Sequence, residues 1–451
     1  MKNRLHPWAV MAFWCLSLVS GRGRAQVPDS LSLERAVAEA LERHQDVLAA
    51  AAREEVASGR LLEIQAFADP ELVLNWSEMP KDFAFAQSGE RSIGVRQWFE
   101  FPGKRCSRIR AAEKDLALAQ EETARVRILV AAVVKQAYSL AVRDLEILSL
   151  HRQSAALLDQ VRRLAEIRFR TNTAPFLEVL QAKVEMTREN NRMVTLERDA
   201  DAAILEIRRL TGRLKGEALR LVDGNDFVPF DRTLEQALDE ALSSRASLRM
   251  AAAVAERERI RAAGARLGLL PDFSVGLFRQ HLREQPPFNA NGFTGTTESG
   301  LWEVDVSVSL PLWFWKSHRG RSRAASGLAR EAGIRERAAE AEVESAVRTA
   351  YRAVKASETG VALFRRDLLA DSDGALENAM DLYAKNKLDA TTVLQTVRTA
   401  IAVREEYADA LCNYRLALAA LESAGEAFGS TGEIRESAGG ARQTGGAGHE
   451  E

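Results

Sequence analysis

The chain has few cysteines, few histidines and no long apolar run, and each shortage excludes a class of protein. Of its 451 residues, three are cysteine and six are histidine. Beyond the N-terminal segment only Cys106 and Cys412 remain, and they show neither a disulfide framework nor metal-ligand spacing. The sequence has no phosphate-binding loop, no His-Glu-x-x-His pair and no nucleophile elbow. We therefore expect a protein without enzymatic activity, cofactor or metal site.

The charge of the chain is nearly balanced, with 62 basic and 64 acidic residues. Such a balance argues against a nucleic-acid partner. The first 25 residues hold four basic side chains, no acidic one and a mostly apolar run at 8–19. This run is shorter than the roughly 20 residues of a membrane-spanning helix, which predicts a signal peptide at 1–25. Bulky Trp14 precedes Cys15 and disfavours a lipidation motif, although lipidation of Cys15 stays open.

An internal duplication organises the rest of the sequence. Segments 33–41 and 234–242 share six of nine residues at an offset of 201. The offset is 213 between Tyr138 and Tyr351, and 214 between Asn172 and Asn386. We attribute this drift to one loop insertion near 284–299. The predicted units are a first repeat at 26–232, a second repeat at 233–426 and a disordered Gly-rich tail at 427–451.

Each repeat alternates helical and strand-like patterns in the same order. Side chains at 126, 130, 133, 137 and 140 follow the spacing of a coiled-coil seam. The long helix of the first repeat would span 67 residues, about 100 Å, and the two helices flanking it would together match that length. Helical periodicity predicts helices at 33–66, 104–170 and 176–210, and again at 233–268, 316–384 and 388–425.

Hydrophobic residues alternate with polar ones in two predicted β-hairpins, at 70–101 and 271–312. In the last strand, Val304, Val306, Val308 and Leu310 share one face. Segments of this length and pattern are typical of strands that cross a membrane, with aromatic side chains at the interfaces. A soluble β-sandwich with buried tryptophans is the alternative. The tryptophans in or beside these strands are Trp76, Trp98, Trp302, Trp313 and Trp315.

Three segments of the chain resemble the TolC family of outer-membrane efflux proteins. The segments at 169–181 and 383–395 resemble the turns at the family's hairpin tips, each followed by a helix that carries Val-Leu. The segment at 97–105, Gln-Trp-Phe-Glu-Phe-Pro-Gly-Lys-Arg, is similar to the strand exit of the heavy-metal-efflux branch. The resemblance covers about residues 31–426.

The resemblance implies a mixed α and β membrane protein. Duplicated long coiled-coil hairpins would form a trimeric α-helical barrel, topped by a 12-stranded transmembrane β-barrel with four strands per chain. The homotrimer would lie in outer-membrane lipid with its tunnel in the periplasm. It would conduct substrates passively, with heavy-metal cations as one class, from a periplasmic adaptor protein and an inner-membrane pump. The alternative is a periplasmic coiled-coil adaptor or scaffold without its own pore.

The resemblance also implies that the hairpin tips form the gate and the adaptor-docking site. Asparagine replaces the family's usual tip glycine twice, and asparagine tolerates left-handed backbone. The acidic pair of the family's best-known member falls at Thr392 and Gln395, which puts a gate of acidic residues in doubt. The acidic position of the first tip is kept as Glu178, and its basic partner in the second half is replaced by Leu388. Solvated charges at a helix turn are the alternative. The candidate tip residues are Arg170, Asn172, Glu178, Lys385, Asn386, Lys387, Asp389 and Thr392.

Overall fold

The structure, a computed structural model, describes residues 29–78, 85, 88–213, 219–222, 227–284, 297–310, 314–424 and 426. The predicted signal peptide, Trp313 and the predicted tail lie outside these residues. The helices are α1 (Leu33–Arg43), α2 (Gln45–Gln65), α3 (Pro102–Arg170), α4 (Phe176–Leu210), α5 (Leu234–Ser244), α6 (Ala246–Arg266), α7 (Phe314–Leu363), α8 (Leu369–Ala384) and α9 (Ala390–Glu422). The strands are β1 (Asp29–Leu31), β2 (Glu71–Ser77), β3 (Glu90–Phe99), β4 (Leu219–Leu221), β5 (Phe273–Glu284) and β6 (Thr297–Val308).

The first predicted helix of each repeat is divided in two, so the single helices at 33–66 and 233–268 were wrong. His44 separates α1 from α2 with φ −65° and ψ 132°, and Arg245 separates α5 from α6 with φ −67° and ψ 129°. The two breaks lie 201 residues apart. Hydrophobic periodicity continues across one extended residue, and for that reason it did not reveal either break.

The second long helix contains one wide turn. Residues Phe364–Leu368 are π-helical and join α7 to α8 without a loop. Tyr351 and Asn386 are one residue further apart than Tyr138 and Asn172, their counterparts in the first repeat. A π-turn accommodates one extra residue in a helix. The last step of the offset therefore lies within the helix, and the single loop insertion that we predicted does not account for it.

The buried stripe of α3 differs from the predicted coiled-coil seam. Val130 is buried as predicted, but Val133 and Leu140 are 46% and 38% exposed. Val134 and Tyr138 are buried instead, at 1% and 3% exposure. The stripe thus follows the period of a straight α-helix rather than the heptad period. The physical reason is that α3 packs against α2, α4, α6 and α9 along its length, so no single partner helix dictates a supercoil.

The four longer strands form one antiparallel sheet in the order β2-β3-β5-β6. Leu72, Val95, Leu277 and Val304 lie side by side in a row across all four strands, and each is 49–66% exposed. Nothing in the described chain covers this apolar face. A soluble β-sandwich buries such a face, so that alternative was wrong.

The opposite face of the sheet is mainly polar. Arg96 and Asp305 lie on either side of Gly276 in one row, and their side chains form an ion pair of 3.0 Å between Nη2 and Oδ2. The ring of Phe278 is buried on this face, and a Cβ on Gly276 would lie 2.5 Å from it. Glycine is therefore required here for close approach of the ring. The sheet thus has one apolar and one mainly polar side, as the alternation predicted.

Helices make up most of the described chain, and the strands form two separate sheets. Three buried hydrophobic clusters lie along the helices, centred on Tyr138, Tyr414 and Tyr383. The two-stranded parallel pair of β1 and β4 packs on the first cluster, where the Tyr138 hydroxyl donates to the Leu31 carbonyl at 2.9 Å. Among the described residues, no helix has the length and apolar composition needed to cross a lipid bilayer.

Candidate functional site

The two hairpin tips share one backbone turn. α3 ends at Arg170 and α8 at Ala384, and the residue two positions beyond each end is asparagine in the left-handed region, Asn172 with φ 57° and Asn386 with φ 58°. A Schellman-type hydrogen bond closes both turns: the third residue after each helix donates its N–H to a carbonyl five residues earlier, at 2.9 Å in both. Asparagine tolerates this conformation better than most residues, so the predicted turn forms without glycine.

Glu178 joins the first tip to the second. It is only 8% exposed, and the hydroxyl of the fully buried Tyr383 donates to its Oε2 at 3.2 Å. Arg168 lies 3.5 Å from the same oxygen, packs over the Tyr383 ring at 4.5 Å and donates to the Leu388 carbonyl at 3.1 Å. This carboxylate is therefore enclosed between the hairpins, and the alternative of a solvated charge is wrong for Glu178.

Burial and the nearby Glu178 carboxylate raise the pKa of Tyr383 to about 12. The phenol thus stays protonated and keeps donating at any physiological pH. Removing a carboxylate from water is unfavourable unless a cation and hydrogen bonds compensate it, and Arg168 and Tyr383 supply both. The arrangement holds one acidic group at the contact between the tips.

The other candidate tip residues lie at the surface. Asp389 caps α9, because its carboxylate accepts from the Thr392 N–H at 3.3 Å and from the Thr392 hydroxyl at 2.6 Å. The Thr392 hydroxyl hydrogen bond lowers the pKa of Asp389. Lys385 pairs with Asp381 of its own helix at 2.6 Å. The residues Arg170, Asn172, Asn386 and Lys387 are exposed.

Sequence reasoning did not assign roles to Arg168 and Tyr383. Tyr383 corresponds to Phe169 at the offset of 214, so both tips have an aromatic ring at this position and only the second has a hydroxyl. The hydroxyl of Tyr383 in the second tip and the acidic side chain of Glu178 in the first were the signals available in the sequence. The three-dimensional contact between hairpins was not readable from either repeat alone.

A second buried polar cluster joins α3, α4 and α9 at a distance from the tips. His151 of α3 is 3% exposed, and its Nδ1 lies 2.8 Å from Glu189 of α4. Its Nε2 contacts Glu405 of α9, which also accepts from Arg192 at 3.1 Å. Hydrogen bonds to Glu189 and Glu405 raise the pKa of His151 to about 9. The imidazolium, with both N–H groups donating, is therefore the form present at neutral pH. Among the described residues, no group of histidine, cysteine and acidic side chains has the arrangement of a metal site.

The described tryptophans lie on different faces. Trp76 and Trp302 are on the apolar face of the sheet, 40% and 67% exposed. Trp98 lies in the row of Ser274 and Ser307 on the mainly polar face. Trp315 is 48% exposed at the start of α7. Their placement at a membrane interface stays a prediction, and Trp98 differs from the other strand tryptophans in its orientation.

Several solved channel structures are similar to this fold. CusC, described in work on transmembrane channel formation, has a TM-score of 0.70 at 17% identity, over 86% of this chain and 90% of that one. The MtrE outer membrane channel of Neisseria gonorrhoeae, in its open state, has a TM-score of 0.69 at 16% identity, over 87% and 88%. The outer membrane protein VceC of Vibrio cholerae has a TM-score of 0.67 at 16% identity, over 86% and 94%. At such identities the similarity establishes the fold.

Sequence comparison with whole families is more specific. Among curated proteins, none is similar enough in sequence to match the chain. The model of the family described as outer membrane efflux protein matches residues 36–213 and 237–425, which is well over half of the chain. The match covers both hairpins and both sets of long strands. The chain therefore belongs to the outer membrane efflux protein family.

Proposed function

We propose that three copies of this outer-membrane efflux protein form the passive exit duct of a tripartite pump. Each copy contributes four strands to a 12-stranded barrel in outer-membrane lipid, and the helices continue it as a periplasmic tunnel. A periplasmic adaptor protein docks at the tips and connects the duct to an inner-membrane pump, which supplies the energy. The duct itself selects by aperture width and by the charges that line it.

The two free edges of the sheet carry this proposal. Within the described chain, β2 and β6 each pair on one side only, and they run in opposite directions. β6 of one copy can therefore pair antiparallel with β2 of the next. Four strands are too few to enclose a pore, whereas three copies close a barrel and leave no edge unpaired.

The uncovered apolar face is the second support. A row of exposed aliphatic side chains crosses all four strands, with ion-paired and polar groups on the other side. Lipid is the environment that such a face requires. The family match and this face favour a duct over a periplasmic adaptor without a pore.

The contact between Glu178 and Tyr383 is our candidate for the closed gate. It joins the two hairpins of one copy at their tips, and Arg168 completes it. Adaptor docking would open the duct by separating these helices. The exposed charges of Arg170 and Lys387 are available for docking. For the cargo we propose heavy-metal cations, which the strand-exit segment at 97–105 supports.

The experiment compares two neighbouring positions of β6. Val304→Lys puts a charge on the apolar face and Glu303→Lys puts the same charge on the polar face. We expect Val304→Lys to destabilise the trimer by about 2–4 kcal/mol and to abolish conductance in planar bilayers, because a lysine near the bilayer centre is costly. Glu303→Lys should keep both heat-modifiable trimers and conductance. Equal behaviour of the two variants, or a wild-type protein that never conducts, would refute the duct.

A further inference from the structure

The row of helices next to the sheet has a free edge at each end. α2 packs on α3, and α6 packs between α3 and α7. Within the described chain, α2 and α7 are not packed on each other. α2 leads into β2 and α7 follows β6, which are the two edge strands of the sheet. The helices at this level therefore lie in the order α2, α3, α6, α7, and each outer helix has one face without a partner helix in the described chain.

The tandem duplication supplies a template for the missing contact. The contact between α3 and α6 joins the long helix of the first repeat to a short helix of the second. Its counterpart would join α7, the long helix of the second repeat, to α2, a short helix of the first. α6 corresponds to α2 at the offset of 201. α3 corresponds to α7 at the offset of 213, since both helices run without interruption to Tyr138 and Tyr351.

The first ion pair of the template is replaced by two aliphatic side chains. Arg257 of α6 pairs with Asp115 of α3 at 2.8 Å. The residues at the corresponding positions are Val56 of α2 and Leu328 of α7, and each is 52% exposed. Packed on each other, these two side chains would remove apolar surface from water. Two complementary charges inside the chain thus correspond to two complementary apolar groups at its edges.

The second ion pair of the template is replaced in the same way. Arg249 of α6 pairs with Glu121 of α3 at 2.7 Å. The corresponding residues, Leu48 of α2 and Ile334 of α7, are 54% and 63% exposed. A single exposed aliphatic residue is ordinary on a protein surface, but here both partners of both ion pairs are replaced together. Such matched replacement is expected where the two helices meet each other and not water.

Glycines at the free edges permit the helices to approach closely. In the template, Gly264 of α6 leaves room for Ser107 of α3, whose hydroxyl donates to the Ile260 carbonyl at 2.9 Å. Gly320 corresponds to Ser107, and Gly59 corresponds to Ile260. A Cβ on either of these two glycines would meet nothing within 4 Å in the described chain. In helical projection each lies between the two exposed aliphatic residues of its own helix, so the backbones can approach between them.

We infer that α2 and α7 form the helical contact between neighbouring copies, with Val56 packed on Leu328 and Leu48 packed on Ile334 of the next copy. The inference rests on the proposed trimer, for which it names the contacting helices. The same two edges of the chain then close both the sheet and the layer of helices. The contact within a copy is ionic, whereas the contact between copies is apolar and does not weaken with salt.

The first test joins the two helices chemically. In a full-length protein with Cys106→Ser, which removes the exposed native thiol, Val56→Cys is combined with Leu328→Cys and treated with a short bis-maleimide. Each copy then carries one reactive thiol at each edge, so we expect covalent dimers and trimers on denaturing gels. The control combines Val56→Cys with Ile334→Cys, which lies six residues, about 9 Å, further along α7 and should give at least about tenfold less product.

The second test transfers the charges of the template to the edges. Val56→Arg alone, or Leu328→Asp alone, places a charge opposite an aliphatic side chain and should lower the yield of heat-modifiable trimers at least about tenfold. The double variant carries the residue types of the pair between Arg257 and Asp115 and should restore trimers to within about twofold of the wild type. Val56→Arg with Ile334→Asp is the matched control, because it has the same charges at mismatched positions, and it should not restore them.

Two results would overturn the inference. They are no excess of the first cross-linked product over its control, and equal trimer yields from the matched and mismatched charge variants. If the charge variants fail to fold, cross-linking decides, because cysteine introduces no charge at these positions. Conducting wild-type trimers without these cross-links would assign the subunit contact to other helices and leave the proposed duct intact. Absence of trimers and current in the wild-type protein would refute the duct itself.

Discussion

The two hairpin tips follow one backbone path but carry different chemistry. Both turns hold an asparagine in the left-handed region, with φ 57° and 58°. One turn of helix away, Arg168 and Glu178 of the first tip correspond to Leu382 and Thr392 of the second. Backbone hydrogen bonds therefore preserve the turn, whereas residues that face the other hairpin are free to diverge. Each tip can therefore be altered separately.

The largest expected effect comes from removing the carboxylate of Glu178, which the second tip lacks at the corresponding position, Thr392. Glu178→Ala leaves the Arg168 guanidinium buried without its carboxylate, which is expected to loosen the tip by about 3–5 kcal/mol. Thr392→Ala removes an exposed hydroxyl at the corresponding position and should have a much smaller effect. Amide hydrogen exchange across 168–178 measures both. Equal exchange in the two variants would mean that the buried contact does not hold the tip.

The second expected effect concerns His151, which corresponds at the offset of 213 to Phe364, the first residue of the π-turn in the second repeat. The pKa of His151 is raised to about 9, against about 6.5 in an unfolded chain. Because the pKa of His151 is higher in the folded state, its protonation stabilises the fold by about 3 kcal/mol below pH 6.5. This stabilisation is lost as the pH rises through 9. Denaturation at pH 6.5 and pH 10 should show this loss. The decline should become shallower in His151→Gln, and an unchanged decline would contradict the assignment.

The third effect should be the same at both tips. Asn172→Val and Asn386→Val each force a β-branched residue into left-handed backbone, and each should destabilise by about 1–2 kcal/mol. The corresponding glycine variants should be close to neutral or slightly stabilising. Thermal unfolding of the four single variants tests this. A large difference between the two valine variants would show that the turns are not equivalent.

The smallest expected effect distinguishes the N-terminal caps of the two helices that follow the turns, α4 and α9. α9 has Asp389 as its cap, whereas α4 follows Pro175, whose side chain makes no capping hydrogen bond. Asp389→Ala should therefore cost about 1 kcal/mol, and Pro175→Ala should cost less. Differential scanning calorimetry would resolve the two. Equal losses would show that the Asp389 hydrogen bonds contribute little.

Much of the fold was readable from the sequence because it depends on local patterns. The long helices ended where predicted, since asparagine and proline at the tips are local signals, and the alternation in β6 identified its apolar face. The helix breaks at His44 and Arg245 were not readable, because one extended residue does not disturb the hydrophobic period. The seam of α3 was misassigned because four neighbouring helices, and not one partner, decide which side is buried.

The candidate site was predictable only in part. Glu178 was identified as an acidic tip residue, but its burial depends on Tyr383, which lies 205 residues away in the chain. The same limit applies to His151, whose two acidic partners come from other helices. Partners brought together by tertiary packing leave no spacing signature in one sequence, so contacts between repeats could not be foreseen.

The wide turn at Phe364–Leu368 determines how the second repeat accommodates its extra residue. An extra residue in a regular helix rotates everything beyond it by about 100°, which would turn Tyr383 away from Glu178. Confining that residue to a π-turn keeps the orientation of the tip, although the second repeat has one more residue than the first. One residue can thus be inserted at this level without turning the end of the hairpin, and deletion of one residue there should restore a regular α-helix and leave Tyr383 facing Glu178.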